Sequence, residues 1–227
     1  MAKNKLKHFA DMKTMDFVFE PTIETVKNDS FPLKGCWHNN FFKNNNPIIV
    51  ELGCGKGEYT VELAKKYPNK NFIGIDIKGA RMWYGANEVR EKNLKNVAFV
   101  RTKVDFILEI FNPHEIDEIW LTFSDPQKEK PRKRLTSKLF MDRFKQILKP
   151  NGIIHLKTDS DILFESTLEQ IKEHHYICNN YTWNLYGKEY WNKLSDEQKD
   201  ILSIKTNYEQ IFSQKGFLIK YCQIKFN

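Results

Sequence analysis

Apolar residues along this chain fall into short runs separated by stretches of helical spacing, and this alternation sets in at Pro47. Ile48-Ile49-Val50-Glu51-Leu52 is an apolar run closed by glycines, the pattern of a strand covered on both faces. Residues 57–67 (GEYTVELAKKY) carry apolar positions at helical intervals and stop before Pro68. Phe72-Ile73-Gly74-Ile75-Asp76 and Val97-Ala98-Phe99-Val100 read as further buried strands, with a helix over 79–93 between them and a short one over 104–111. Glu118-Ile119-Trp120-Leu121-Thr122-Phe123 is a fourth strand, and Ile153-Ile154-His155-Leu156-Lys157-Thr158 a fifth. The helix between them, over 136–148, ends at Lys149-Pro150-Asn151-Gly152, a strong stop. A helix over 161–174 and two last strands, 176–183 and 217–226, complete seven strands. Strands alternating with helices predict an α/β protein with a doubly wound, mostly parallel sheet, whose strand C-termini line one edge where ligands bind.

Residues 1–46 lack this alternation. They are basic at the start and Asn-rich at the end, and they read as an irregular basic arm leading into a domain over 47–227. The 227 residues are 41% hydrophobic, enough for one α/β core. The net charge of +7 favours a polyanionic partner, though a generally basic soluble surface would look the same. Cys36, Cys54, Cys178 and Cys222 form no C-x-x-C pair and have no His-rich cluster beside them, so no metal is expected. The N-terminal MAKNKLKHFADMK lacks an apolar stretch, and no run approaches the roughly 20 apolar residues of a membrane helix, so a cytoplasmic protein is expected.

Chemistry concentrates at three strand ends. Val50-Glu51-Leu52-Gly53-Cys54-Gly55-Lys56-Gly57 joins the first strand to the first helix, and its glycines let backbone pass close to a ligand. The spacing is G-x-G-x-G rather than the G-x-G-x-x-G of a dinucleotide site. Glu51 would repel a pyrophosphate but can pair with the ammonium of an amino acid. Asp76 ends the second strand, where a carboxylate can accept both ribose hydroxyls of an adenosine. Glu51, Gly53, Gly55 and Asp76 together suit S-adenosylmethionine. After the fourth strand, Asp125 stands at the mouth of the ligand edge, Pro126 fixes its turn, and a basic run follows with Lys128, Lys130, Arg132, Lys133 and Arg134. Such a run is a solvated face or a phosphate grip, and its place beside a methyl donor favours the grip.

Five blocks in order resemble the bacterial tRNA (guanine-N7)-methyltransferases. They are Glu51-Leu52-Gly53-Cys54-Gly55-Lys56-Gly57, Ile75-Asp76, Phe123-Ser124-Asp125-Pro126 with its basic tail, Lys157-Thr158-Asp159, and Lys205-Thr206-Asn207-Tyr208-Glu209. The first two are shared by many methyltransferases; the last three, in this order, are specific. The resemblance implies a Rossmann-like class I S-adenosylmethionine-dependent methyltransferase sheet with its last strand antiparallel, and a tRNA partner methylated at guanine 46 of the variable loop. It implies that Glu51, Asp76, Lys103 and Asp125 contact the donor, that Asp125 is catalytic, and that Glu129, Asp159, Thr206, Asn207, Tyr208 and Glu209 hold the substrate. The chain departs from the family pattern at Ser124, where proline is usual, at Gln127, where tryptophan is common, and at Glu129, where lysine is usual. Lys103 lies where an acidic residue often follows the third strand, with Asp105 two residues on.

The sequence leaves other readings open. An NAD-dependent oxidoreductase shares the strand, turn and Asp76, but Glu51 and the missing third glycine oppose it. An RNA-binding module explains the charge but not the glycine turn. An exocyclic-amine methyltransferase acting on ribosomal RNA or DNA carries a [DNS]-P-P-[YFW] loop, and Ser124-Asp125-Pro126-Gln127 lacks its second proline and aromatic. Asp159 also reads as a helix cap, and Thr206 with Glu209 as a capping box.

Overall fold

In the computed structural model, which describes residues 2–227, the chain opens with helix α1 (Ala2–Met12), strand β1 (Val18–Phe19), helix α2 (Ile23–Lys27) and a π-helical turn over Trp37–Phe42. Strands and helices then alternate: β2 (Ile48–Leu52), α3 (Glu58–Lys66), β3 (Asn71–Asp76), α4 (Gly79–Lys92) and β4 (Val97–Arg101). A 3-10 turn leads into α5 (Ile107–Ile110), followed by β5 (Ile116–Thr122), α6 (Lys138–Ile147), β6 (Leu148–Thr158) and α7 (Asp161–Glu173). The last part holds β7 (Ile177–Thr182), three short helices α8 (Lys188–Trp191), α9 (Asp196–Leu202) and α10 (Asn207–Gln214), and β8 (Lys220–Lys225).

The strands form one sheet in the order β1-β4-β3-β2-β5-β6-β8-β7. Strands β1 to β6 pair in parallel, and β8 runs antiparallel to both β6 and β7. The doubly wound expectation holds, with eight strands rather than seven because Val18–Phe19 adds an edge pair to β4. Winding reverses between β2 and β5, so the crevice of the switch point opens at their carboxyl ends. The central strands are apolar on both faces because helices cover both. Ile48, Val50, Leu52, Ile73 and Ile75 face one buried cluster, whereas Ile49, Phe72, Phe99 and Trp120 face the other. Each such side chain contributes about 1.5–3 kcal/mol by leaving water.

Residues 2–46, expected to be an irregular arm, instead carry helices and pack onto the domain. Met12 on α1 is fully buried, and Asp11 accepts hydrogen bonds from Trp83 Nε1 (2.6 Å) and Arg90 Nη1 (2.8 Å) on α4. Trp37 is fully buried among Phe19, Phe31, Phe41, Phe42 and Phe111, and its Nε1 donates to the Ile110 carbonyl at 3.2 Å. Glu115 accepts from the backbone N–H groups of Gly35 (3.0 Å) and Asn112 (2.9 Å), tying the segment to the loop before β5. Apolar residues spread among lysines and asparagines hid this packing from a pattern built on uninterrupted runs.

Candidate active site

The carboxyl ends of β2, β3 and β5 border a cleft of about 440 Å³, a size suited to a small organic ligand. Its floor is the glycine turn. Gly53, Gly55 and Gly57 all have positive φ (+77°, +57° and +74°), the left-handed region where a side chain is strained. A Cβ on Gly53 would meet nothing within 4 Å, so that glycine borders open cleft. Gly57 is different, because a Cβ there would strike the Phe99 ring at 2.7 Å. Gly85 on α4 fits against the same turn: a Cβ would lie 2.5 Å from the Lys56 carbonyl and 3.1 Å from Gly57 Cα. This small residue brings the helix onto the turn, and its role escaped sequence reading because it sits mid-helix with no motif of its own.

Glu51 lies on the cleft floor, 3% exposed. Its Oε2 accepts from the Thr60 N–H at 3.0 Å and the Thr60 hydroxyl at 2.5 Å, and its Oε1 accepts from the Thr122 hydroxyl across the β2/β5 switch point. Burial pushes its pKa up to about 7, against the lowering effect of the two threonines. A desolvated carboxyl that faces a cleft and is served by neutral donors alone can receive an incoming cation. Asp76, partly exposed at the end of β3, accepts from Gly55 N at 2.9 Å and Lys78 N at 2.7 Å, which aims it across the cleft.

The loop after β5 begins under strain. Phe123 has φ +52°, a genuine outlier for a bulky residue, of a kind that costs about 1–3 kcal/mol and collects at functional sites. Its N–H is held by the Lys157 carbonyl at 2.8 Å. Next to it Ser124 is buried on the cleft wall, and its hydroxyl meets no acceptor or donor among the described residues. An orphaned buried hydroxyl is what a bound polar ligand would satisfy. Asp125 is exposed at the cleft mouth, its Oδ1 accepting from Gln127 N at 2.9 Å. The basic run divides into distinct parts. Lys128, Lys130 and Arg132 are exposed, and Lys133 reaches the cleft wall. Arg134 is buried and donates from Nε to the Pro126 carbonyl at 2.9 Å, so it holds the loop rather than meeting solvent.

Among the other residues singled out in the sequence, Lys103, Thr206, Asn207 and Tyr208 all line the cleft. Arg81, Lys56 and Glu58, which sequence reading passed over, line it too. The Arg81 guanidinium stands 5.6 Å from the Tyr208 ring centre, and Glu58 accepts from Asn207 N at 2.8 Å. Glu129 lies on the exposed rim beyond Asp125. Asp159 is half-buried at the end of β6, with burial raising its carboxyl pKa. Its carbonyl accepts from Lys220 Nζ at 2.8 Å, and the cap of α7 is Ser160, not Asp159. Thr206 caps α10, its hydroxyl accepting from Glu209 N at 3.2 Å. Glu209 is placed otherwise than the resemblance implies. It is fully buried beneath the cleft wall, 2.8 Å from Lys157 Nζ, and it also accepts from the Tyr186 hydroxyl.

Fold and cleft together define a methyltransferase of the doubly wound class. A family model described as "Putative methyltransferase" matches residues 45–221. The solved structure of the 16S rRNA methyltransferase KamB superposes with a TM-score of 0.60 at 12% identity, covering 80% of this chain and 88% of that one, and shows the shared fold. Closer relatives narrow the class. A tRNA (guanine-N(7)-)-methyltransferase of Bacteroides fragilis is 52% identical, over 100% of this chain and 86% of the relative. One of Christiangramia forsetii is 45% identical, over 99% and 98%. The chain belongs to the tRNA (guanine-N(7)-)-methyltransferase family.

Proposed function

We propose that this chain methylates N7 of a guanine in tRNA, at the variable-loop position 46 that the resemblance implies, using S-adenosylmethionine as donor. One observation carries the reading: Glu51, Asp76 and Asp125, from three strand ends, border a single cleft floored by glycines. When bound, S-adenosylmethionine supplies an activated methyl group on a sulfonium. Glu51 would take the ammonium of its amino-acid part, Asp76 would take the ribose hydroxyls, Gly53 and Gly55 would give way to its approach, and Lys103 would meet the adenine side.

Guanine N7 carries a free lone pair and no proton, so methyl transfer needs no general base. The chain must instead align the nucleophile, which lowers the barrier by several kcal/mol. It must also favour the positive charge that grows on the purine. Asp125, an exposed carboxylate at the cleft mouth, serves that electrostatic role. Thr206, Asn207 and Tyr208 form the wall against which the guanine settles, with Asp159 toward the N1 and N2 donors of the base and Glu129 at the RNA-facing rim. The exposed Lys128, Lys130 and Arg132 hold phosphates, which release counterions on contact. A tRNA substrate and the absence of any membrane-crossing helix among the described residues support a cytoplasmic location.

The test is single-turnover methyl transfer to a normal transcript and to one with 7-deazaguanine, followed by nucleoside analysis. The normal transcript should yield 7-methylguanosine and the 7-deaza transcript nothing. Methylation of the 7-deaza transcript at the normal rate would refute N7 as nucleophile and favour an exocyclic amine.

A further inference from the structure

Lys157, in the interior of the protein, is the largest fully buried cationic side chain, and it lies under the wall of the cleft. Its Nζ donates to the Leu202 carbonyl at 2.9 Å and to the Ile204 carbonyl at 2.9 Å, and it sits 2.8 Å from Glu209 Oε2. Two aromatic rings enclose it, Tyr59 at 5.6 Å and Tyr186 at 5.7 Å. The Tyr186 hydroxyl donates to Glu209 and lies 3.2 Å from the Leu202 carbonyl. All these contacts gather one short stretch of chain, from the last residue of α9 to the first turn of α10. Between the anchors at Ile204 and Glu209 lie Thr206, Asn207 and Tyr208, the three residues of that stretch that line the cleft.

A buried ion pair contributes little net stability, since desolvating two charges offsets their attraction. A well-packed apolar pair would hold two elements together as well. What a buried ammonium does that a leucine does not is fix direction, because its donors must each find an acceptor. Burial pushes the Lys157 pKa down to about 8 despite Glu209, a sign of how costly the placement is. Lys157 also shares its strand end with the donor side of the site, since its carbonyl holds Phe123 N at the start of the Asp125 loop.

We propose that Lys157 and Glu209 are positioning residues: a strut that holds the Thr206–Tyr208 wall over the donor cleft and in register with the Asp125 loop, with Glu209 touching no part of the guanine. The proposal rests on the functional reading above for the identity of what meets that wall. It departs from the resemblance, which gives Glu209 to the substrate directly.

The test compares wild type with Lys157→Met, Glu209→Gln, the double variant and Tyr186→Phe. Amide hydrogen exchange over residues 203–209 should quicken at least tenfold in each Lys157 or Glu209 variant, with strands β2 to β5 unchanged. This reading needs no substrate, so it decides the strut even if wild type fails to methylate tRNA, a result that would sink the functional reading alone. In kinetics, Lys157→Met and Glu209→Gln should each lose melting temperature and kcat. The double variant, with no unpaired buried charge, should regain most of the melting temperature while kcat stays at least tenfold low. The preference for guanine over inosine at the target, which reports contact with the N2 amine, should be the same in Glu209→Gln as in wild type. Tyr186→Phe, which removes a hydroxyl and leaves the charges paired, should fold normally and reduce kcat a few-fold, again with the guanine preference intact. Unchanged exchange at 203–209 would overturn the proposal, as would recovery of kcat in step with melting temperature. So would loss of the guanine preference in Glu209→Gln, which would return that carboxylate to the base.

Discussion

Replacing Glu51 by glutamine should strengthen the ligand-free protein while removing the carboxylate proposed to bind the donor. The carboxyl has a folded pKa raised from the ordinary 4.5 to about 7, with burial as the main cause. At about 1.4 kcal/mol for each pH unit, that rise is roughly 3 kcal/mol of preference for the protonated form. The sign follows from which state holds the proton. Between pH 4.5 and 7 the folded protein keeps a proton on Glu51 that the unfolded chain has released, so this contribution to stability is full below about 4.5 and is lost as pH rises toward 7. Glu51→Gln carries no charge to desolvate. At pH 8 it should melt higher than wild type by about 6–12 °C, a difference that shrinks toward pH 5. Comparing the two proteins at each pH cancels other titrations, including that of Lys157. S-adenosylhomocysteine, which presents the same ammonium, should reverse the order at pH 7.5. It should stabilise wild type strongly and the variant weakly, because the ammonium pairs with the ionised carboxylate. Binding to wild type at pH 6.5 should release most of one proton, measured by calorimetry in buffers of different ionisation enthalpy. A pH-independent affinity with no proton release would refute the pairing. A variant less stable than wild type at both ends of the range would refute the cost of burial.

Three further outcomes follow from neighbouring geometry. Asp76→Ala should weaken donor binding by about 1–3 kcal/mol by calorimetry, and unchanged affinity in a folded variant would remove Asp76 from the site. Lys128→Gln, Lys130→Gln and Arg132→Gln combined should lower the salt slope of tRNA binding by about 2–3, whereas the buried Arg134→Gln should reduce melting temperature and leave that slope alone. An equal slope for both proteins would contradict the division of the basic run. Gly85→Ala should cost about 1–3 kcal/mol in denaturant unfolding and also weaken donor binding, since its Cβ must displace the Lys56 carbonyl; a neutral result would mean the turn yields freely.

Strand ends were the legible part of this molecule. Glu51, Asp76 and Asp125 could be found because a buried parallel strand announces itself as an apolar run, and its last residues must then lie at the ligand edge. The same logic could not reach residues 1–46. There Met12 and Trp37 are as buried as any strand residue, but they stand singly among polar neighbours, where only tertiary packing selects them. Nor could it reach the helices within 184–215, where only the Lys205–Glu209 block and its capping box stood out between the last two strands. Helices α8, α9 and α10 are each too short to show a period, although Ser195 with Gln198 forms a full capping box.

Glu209 shows why a motif match and a role are separate inferences. The order Thr206-Asn207-Tyr208-Glu209 marks the family, and the resemblance assigns the whole block to one task. In three dimensions the block turns a corner: Thr206 caps a helix, Asn207 and Tyr208 face the cleft, and Glu209, one step further round the first turn, points inward to Lys157. Residues kept together along a chain therefore divide between facing the cleft and holding the wall that faces it. Spacing alone does not distinguish the two, because a helix sends consecutive side chains about 100° apart and so to different surroundings. Only the position of the buried ammonium, itself on strand β6, decides which member of the block serves which purpose.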